Sequence, residues 1–450
     1  MRTILHSDLN NFYASVECLY HPEYVGQPLV VCGKTEDRHG IILAKNMIAK
    51  KAGVKTGMVL FEARKLCPNL VCVEARHDLY LKYSRAVRKI YLEYTDRVEP
   101  FGIDEAWLDV SDSIVCGGDG FKIAEEIRKR VKEEIGLTVS IGVSFNKVFA
   151  KLGSDMKKPD AVTVISKDNF KKLVWGLPAS DLLYVGKATK EKLEKLNINT
   201  IGELATFSKP ILVSKLGKWG EVLLSYARGQ DIDEVRKYDE WDELKSIGNS
   251  ITYYRDIKTD EDVYSLLILL AESVCARMKN AGFKCARSLS LVVTNDKLET
   301  VSRMTKASTP MSLSSEIAET AFDLFKKHFS WENGLVRLLG ISVSDFTEHK
   351  QLALFDDEKK KDKLVKLENV VEQMREKYGR KIINKAVIFK DEHMLNLNIK
   401  GDPGSLSSDV AHAIPFKTAP YKEKNSLIVK KSIKYGCFRH DWFCAKKYKS

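Results

Sequence analysis

Between residues 246 and 345 the spacing of apolar positions reads as strand (246–254), helix (260–280), strand (286–294), strand (298–306), helix (312–329) and strand (335–345). That order, βαββαβ, is the ferredoxin-like signature, so this stretch is expected to close on itself as one unit. The first 165 residues alternate too. Residues 3–8 form a short strand ending at Asp8, and "NNFYASVE" starts a helix capped by Asn10 or Asn11. "QPLVVCG" and "NLVCVEA" are strands, while "HGIILAKNMIAKKAGV" is a strand running into a helix stopped near Gly53. A helix covers about 78–96, and the strands "IDEAWLDV" and "LTVSIGVS" flank the helix "GFKIAEEIRKRVKEEIG". Such alternation implies an α/β or α+β domain.

Residues 169–230 read as all-helical, and "EVRKYDEWDE" (234–243) as a charged linker. Past "QLALFDDEKKKDK" only "LVKLENVVEQMREKYG" has a helical period, and the rest, with Pro403, Pro415 and Pro420, reads as loop. A chain of 450 residues exceeds one ordinary core, so several domains are expected. Its apolar share, 44%, suits a globular protein. No run of about 18 apolar residues is present, and the N-terminus turns polar too early for a signal peptide, so a cytoplasmic protein without a membrane span is expected. The net charge of +12 favours a polyanionic partner, nucleic acid or an anionic membrane surface. Nine scattered cysteines read as reduced thiols, and Cys437, His440 and Cys444 lack a fourth ligand at zinc spacing.

Asp104 and Glu105 stand side by side in the apolar run "FGIDEAWLDV". On a strand, neighbours point to opposite faces, and paired carboxylates in a hydrophobic stretch are costly without a cation. If the strand ending at Asp8 lies beside this one, three carboxylates converge into an oxygen-ligand set suited to Mg²⁺. Two such ions can activate an attacking oxygen and stabilise a leaving one. Solvated turn residues would satisfy the same spacing.

The segments "HSDLNNFYASVE", "GIDEAWLDV" and "GVSFNKVFAKLGSDMKKP", in this order and spacing, resemble the signature segments of the Y-family DNA polymerases, the translesion enzymes of DinB and UmuC type. The resemblance runs from residue 1 to about 345. It implies an α+β right hand: palm (1–19 and 78–168), fingers (20–77), helical thumb with a helix-hairpin-helix (169–233), linker (234–243), βαββαβ little finger (244–347), then a clamp-binding motif and tail (348–450). It implies a monomeric, template-directed polymerase acting on primer-template DNA and deoxynucleoside triphosphates with two Mg²⁺. Asp8, Asp104 and Glu105 would be catalytic and metal-binding, with the Leu9 carbonyl as a further ligand. Phe12 and Tyr13 would meet the nucleotide, Tyr13 lying under the sugar and rejecting a 2′-hydroxyl, and Lys50 and Lys158 would meet the triphosphate.

The chain departs from the family pattern at Ala44, Met47, Lys50 and Gly102, where a hydroxyl residue, Tyr, Arg and Ser are usual. Lysine supplies charge there but no bidentate fork. The hairpin Val185-Gly186-Lys187 is expected to offer backbone N–H groups to a phosphate, with Lys245, Arg255, Arg287 and Arg303 as further phosphate contacts. Gln351, Leu352, Leu354 and Phe355, in "QLALF", are similar to the bacterial sliding-clamp motif. A nuclease or nucleotidyl cyclase on a similar palm, and a catalytically silent scaffold, are the competing classes. A separate DNA-binding unit argues against the cyclase, and three retained acids argue against the scaffold.

Overall fold

Strand β1 (Ile4–Leu9) is buried along its whole length, as a central strand covered on both faces must be. The computed structural model describes residues 2–33, 40–240, 244–347, 358–379 and 382–397. After β1 come α1 (Phe12–Tyr20), β2 (Leu29–Cys32), β3 (Ile42–Lys45), α2 (Met47–Lys51), α3 (Leu60–Leu66), β4 (Val71–Glu74) and α4 (His77–Tyr91). Then follow β5 (Val98–Pro100), β6 (Glu105–Asp109), α5 (Gly120–Arg130), β7 (Val139–Ser144), α6 (Lys147–Met156) and β8 (Val162–Ile165). One sheet runs β5-β6-β1-β7-β8, with β1 antiparallel to both neighbours, and a smaller one runs β3-β2-β4. Alternation divides β1. Leu5 and Leu9 join Val87, Tyr91, Ile123 and Ile127 in the core beneath α4 and α5. His6 and Asp8 take the other face, where they meet Ser154 and Lys158 at the end of α6.

Helix α6 reaches that face because Gly142 on β7 has no side chain. A Cβ there would stand 1.9 Å from the Ala150 carbonyl oxygen. Gly142→Ala is therefore expected to lift α6 from the sheet and cost about 1–3 kcal/mol, seen as a lower urea midpoint in equilibrium unfolding. An unchanged midpoint would show that the crossing has slack.

Helices α7 (Phe170–Val174), α8 (Lys187–Glu194), α9 (Ile201–Thr206), α10 (Lys209–Leu216) and α11 (Lys218–Ala227) share a core of Val174, Leu193, Ile201, Leu204, Leu212 and Leu223. The stretch read as a charged linker is laid along β5 over 234–240. Val235 is buried, Arg236 pairs with Glu99 at 3.2 Å, and Lys237 with Asp96 at 2.8 Å. Its charges have partners on the first unit, which a search for apolar period cannot detect.

The next unit has β9 (Ser246–Ile257), α12 (Asp260–Asn280), β10 (Cys285–Asn295), β11 (Thr300–Met311), α13 (Ser314–His328) and β12 (Val336–Thr347), in the expected order. Its sheet runs β11-β10-β12-β9. Helix α14 (Glu358–Tyr378) docks on α12 through polar pairs, Lys279–Glu368 at 3.0 Å and Arg375–Glu272 at 3.1 Å. It leaves Leu364, Leu367, Val370, Met374 and Tyr378 exposed. The reading of everything after this helix as loop is corrected for 382–397, which includes α15 (Glu392–Asn396). Ile388 and Met394 are buried in this unit's core, and the Tyr253 hydroxyl donates to Asp391 at 2.5 Å. No helix among the described residues is long and apolar enough to cross a membrane.

Candidate active site

Asp8 and Glu105 face each other directly across the β1–β6 pair. Cross-strand partners project to the same side, so the register alone brings these two carboxylates together. Asp104 is not on the strand, which starts at Glu105. It ends a turn made possible by Gly102 at φ 89°, a backbone region that L side chains rarely adopt. The turn is tied down by α4, where Arg88 Nη2 donates to the Gly102 carbonyl at 2.7 Å and the Ser84 hydroxyl to that of Ile103. The Leu9 N–H donates to the Asp104 carbonyl at 3.0 Å. Adjacent acids on a strand would point apart; the turn releases Asp104 from that alternation. The serine usual at position 102 would be strained in this conformation.

Cations on and just beyond α6 answer the acids. Lys158 Nζ is 2.7 Å from Asp8 Oδ2 and 2.7 Å from Asp155 Oδ1, and Lys151 pairs with Glu105. Lys147 Nζ is 2.8 Å from Glu99. The buried His6 places Nδ1 at 2.8 Å from the Ser154 hydroxyl and Nε2 at 3.2 Å from Glu105 Oε2, the latter without hydrogen-bond geometry. Burial holds His6 down at about 4, so it is neutral at physiological pH. Burial pushes Asp8 up to about 7 against the pull of Lys158, with Glu105 and Asp104 adding repulsion. Asp104 rises to about 6 through burial and Glu105. Burial would raise Glu105 as well, but His6 and Lys151 outweigh it and hold Glu105 at about 2.

Among the described residues no three His, Cys, Asp or Glu side chains already stand as a ready-made metal cage. The donor chemistry nonetheless fits hard divalent cations. Asp8 and Glu105 face each other across β1 and β6 with Asp104 on the adjoining turn, and burial with mutual repulsion raises the pKa of Asp8 and Asp104, a cost that a divalent cation would relieve. His6 and Lys151 were missed by sequence reasoning. A signal for the lysine existed, since Lys147 and Lys151 are one helical turn apart on α6.

The other expected residues are spread over the fold. Phe12 is 3% exposed and belongs to the core, whereas Tyr13 is half-buried beside it. Lys50 is exposed on α2, and Lys45 on β3, also missed, donates to the Thr56 hydroxyl at 3.0 Å. Burial and the Lys50 charge lower the Lys45 pKa. At the hairpin, the Val185 N–H is spent on the Leu182 carbonyl at 3.1 Å, which removes it as a phosphate donor. Gly186 caps α8 with no side-chain hydrogen bond, and Lys187 opens the helix.

In the last sheet Lys245 is exposed, and Arg287 lies at the β10 bulge. Arg255 is engaged by Asp262 at 3.1 Å and Asp391 at 3.5 Å, so it is a poor phosphate contact as it stands. Arg303 is exposed opposite Leu291, a core residue, and so stands on the helix side of edge strand β11. The opposite face is paved with small residues: Gly248, Ser342 and Ser290 form one cross-strand row, and Ser250 pairs with Gly340 in the next. Gln351, Leu352, Leu354 and Phe355 lie outside the described residues, as do Cys437, His440 and Cys444.

Comparison with known proteins follows the same divisions. Residues 7–155 match the impB/mucB/samB family, 244–354 that family's C-terminal domain, and 180–231 a domain described as DNA polymerase-iota, thumb domain. A DNA polymerase IV of Acetivibrio thermocellus is 51% identical over 393 residues, covering 87% of this chain and 98% of that protein. DNA polymerase IV 1 of Bacillus subtilis is 37% identical over 399 residues, covering 87% and 94%. Among solved structures, a Y-family DNA polymerase chimera superposes with a TM-score of 0.68 at 24% identity, over 77% of this chain and 100% of that one.

Proposed function

The chain belongs to the impB/mucB/samB family, the Y-family DNA polymerases, and from that premise we propose that it extends primers past damaged template bases by two-metal nucleotidyl transfer, without a proofreading nuclease. It is a DNA-directed DNA polymerase with the right-hand fold, and it binds primer-template DNA and deoxynucleoside triphosphates. The observation that carries the mechanism is the Asp8–Glu105 cross-strand pair with Asp104 turned in beside it. Asp8, Asp104, Glu105 and the Leu9 carbonyl would hold two Mg²⁺. Such ions, when bound, favour loss of the proton from the primer 3′-hydroxyl and neutralise the charge of the departing pyrophosphate.

The protein's own side chains do the remaining work. In the reaction the 3′-oxygen bonds to the α-phosphorus, and the bond from that phosphorus to the β-phosphate bridging oxygen breaks. Lys158, paired with Asp8 here, is positioned to turn to the triphosphate. Lys50, with Lys45 near it, adds positive charge from the fingers. Tyr13 lies flat under the sugar, with Phe12 packed behind it. Gly186 and Lys187 at the start of α8 meet a backbone phosphate, and the small-residue face of the last sheet lets a duplex approach closely, with Lys245 and Arg287 near its borders; Arg303, on the helix side of β11, would reach a phosphate only around the sheet's edge. These contacts carry no base readout.

The domain assignment follows: palm 1–19 and 78–168, fingers 20–77, thumb 169–233, and a little finger from 244. The little finger takes in α14 and α15, because their residues pack into or onto its core. The working protein is a cytoplasmic monomer that reaches a bacterial sliding clamp through Gln351, Leu352, Leu354 and Phe355. A tether of this kind raises the effective concentration of polymerase at the primer end without new DNA contacts.

Primer extension with Mg²⁺ on undamaged and abasic templates, with and without a loaded sliding clamp, tests these statements together. Extension on both templates with clamp stimulation is expected. Replacing Leu354 and Phe355 by Ala should leave extension by the free enzyme unchanged and remove the stimulation. Failure to pass the abasic site would sink the translesion reading, and stimulation that survives in full would move the clamp contact elsewhere.

A further inference from the structure

Behind Tyr13 lies a buried carboxylate that the catalytic chemistry does not use. Tyr13 and Glu17 are one turn apart on α1 and share a face. Tyr80, on α4 and fully buried, spans both of them. Its ring stacks on that of Tyr13, with centroids 4.1 Å apart and planes 14° from parallel, and its hydroxyl donates to Glu17 Oε1 at 2.5 Å. Arg76, just before α4, closes the other side. Its Nε donates to Glu17 Oε1 at 3.1 Å and its Nη2 to Oε2. The Glu17 side chain is 0% exposed, and both of its oxygens are engaged by these two partners. His77 stands edge-on to Tyr13 at 5.9 Å and to Tyr80 at 6.0 Å.

A steric barrier is only as selective as it is stiff. If the Tyr13 ring could lean back, an added hydroxyl would displace it and the clash would vanish. The Tyr80 ring occupies the space into which it would lean. Tyr80 in turn is held by ring contacts and by a hydrogen bond to a carboxylate that the Arg76 fork keeps in place.

We propose that Glu17, Arg76 and Tyr80 form a clasp that fixes the plane of Tyr13 and thereby sets discrimination between ribo- and deoxynucleotides. They are positioning residues, and the proposal rests on the reading of Tyr13 as the residue under the incoming sugar. The clasp joins the start of α4 to α1, so sugar choice is set at a helix–helix junction rather than by the acids themselves.

Single-nucleotide insertion kinetics with matched ribo- and deoxynucleoside triphosphates test it, using the full-length protein and its Tyr80→Leu, Tyr80→Phe and Tyr13→Ala variants. Tyr80→Leu, which empties the space behind the ring, is expected to raise the ribo-to-deoxy ratio of kcat/KM about tenfold, mostly through a lower ribonucleotide KM. Tyr80→Phe keeps the ring but releases it from Glu17, and should raise the ratio about threefold. A merely structural role would slow both sugars equally and leave the ratio alone. Ratios within about twofold of the parent in the folded Tyr80 variants overturn the clasp. Should Tyr80→Leu not fold, Tyr80→Phe decides by the same criterion. If Tyr13→Ala raises the ratio and the Tyr80 variants do not, only the clasp falls. If Tyr13→Ala leaves it unchanged, the sugar role of Tyr13 falls and the clasp with it.

Discussion

Asp104→Ala and Glu105→Ala each reduce primer extension below about a hundredth of the parent rate, a barrier increase of about 2.7 kcal/mol or more, while primer-template affinity is nearly unchanged. The expectation rests on the separation of charges in the fold. The carboxylates sit at the adjoining ends of β1 and β6, with Lys151 of α6 and Lys158 just beyond it against Glu105 and Asp8, and the proposed phosphate contacts are on α8 and the last sheet. Removing Glu105 also strips Lys151 of its partner, leaving positive charge where cations are to bind. Extension above that rate in a folded variant would remove the residue from the metal-binding set.

The same site carries a stability cost with a definite sign. The Asp104 carboxyl is held at about 6 in the folded protein against an ordinary 3.8. A carboxyl raised on folding favours the native state at low pH, and that contribution is lost as pH rises from about 3.8 through about 6. Without divalent ions at pH 8, Asp104→Asn should therefore melt at a higher temperature than the parent, and the gain should disappear below pH 4. A variant that melts lower at pH 8 would show that the charged group has compensation beyond Lys158 and Lys151.

Tyr13→Ala gains ribonucleotide use by roughly two decades or more relative to deoxynucleotides, because rejection of a whole hydroxyl is worth a few kcal/mol. The ring is half-buried and backed by Tyr80 and Phe12, so a hydroxyl at C2′ meets a surface that does not give. Deleting the ring removes the proposed repulsive element and leaves the proposed attractive contacts on Lys50, Lys158 and the acids in place. Most deoxynucleotide activity should survive. Competitive insertion assays read the ratio directly, and unchanged discrimination in an active variant makes Tyr13 a packing residue.

The sequence by itself determined the elements and the chemistry that has to be local. The βαββαβ order from β9 to β12 was legible because apolar periods of 2 and 3.6 report burial along a single segment. Asp8 at a strand end and the Asp104-Glu105 pair stood out because charge in an apolar run is costly wherever the strand goes, but spacing alone fitted solvated turn residues as well, and only the resemblance implied a shared metal role. Tertiary structure decided what depends on contact between segments. The β1–β6 register set Asp8 opposite Glu105, and the turn at Gly102, tied down by Arg88 and Ser84, freed Asp104 from strand alternation. Absence of a side chain at Gly142 brought Lys151 and Ser154 of α6 down onto Glu105 and His6. Arg255 was claimed by Asp262 and Asp391, and α14 docked through ion pairs with its apolar side outward. Apolar burial leaves a periodic trace along one chain segment, whereas the partner of a charge is chosen by geometry between segments and leaves no trace in either one.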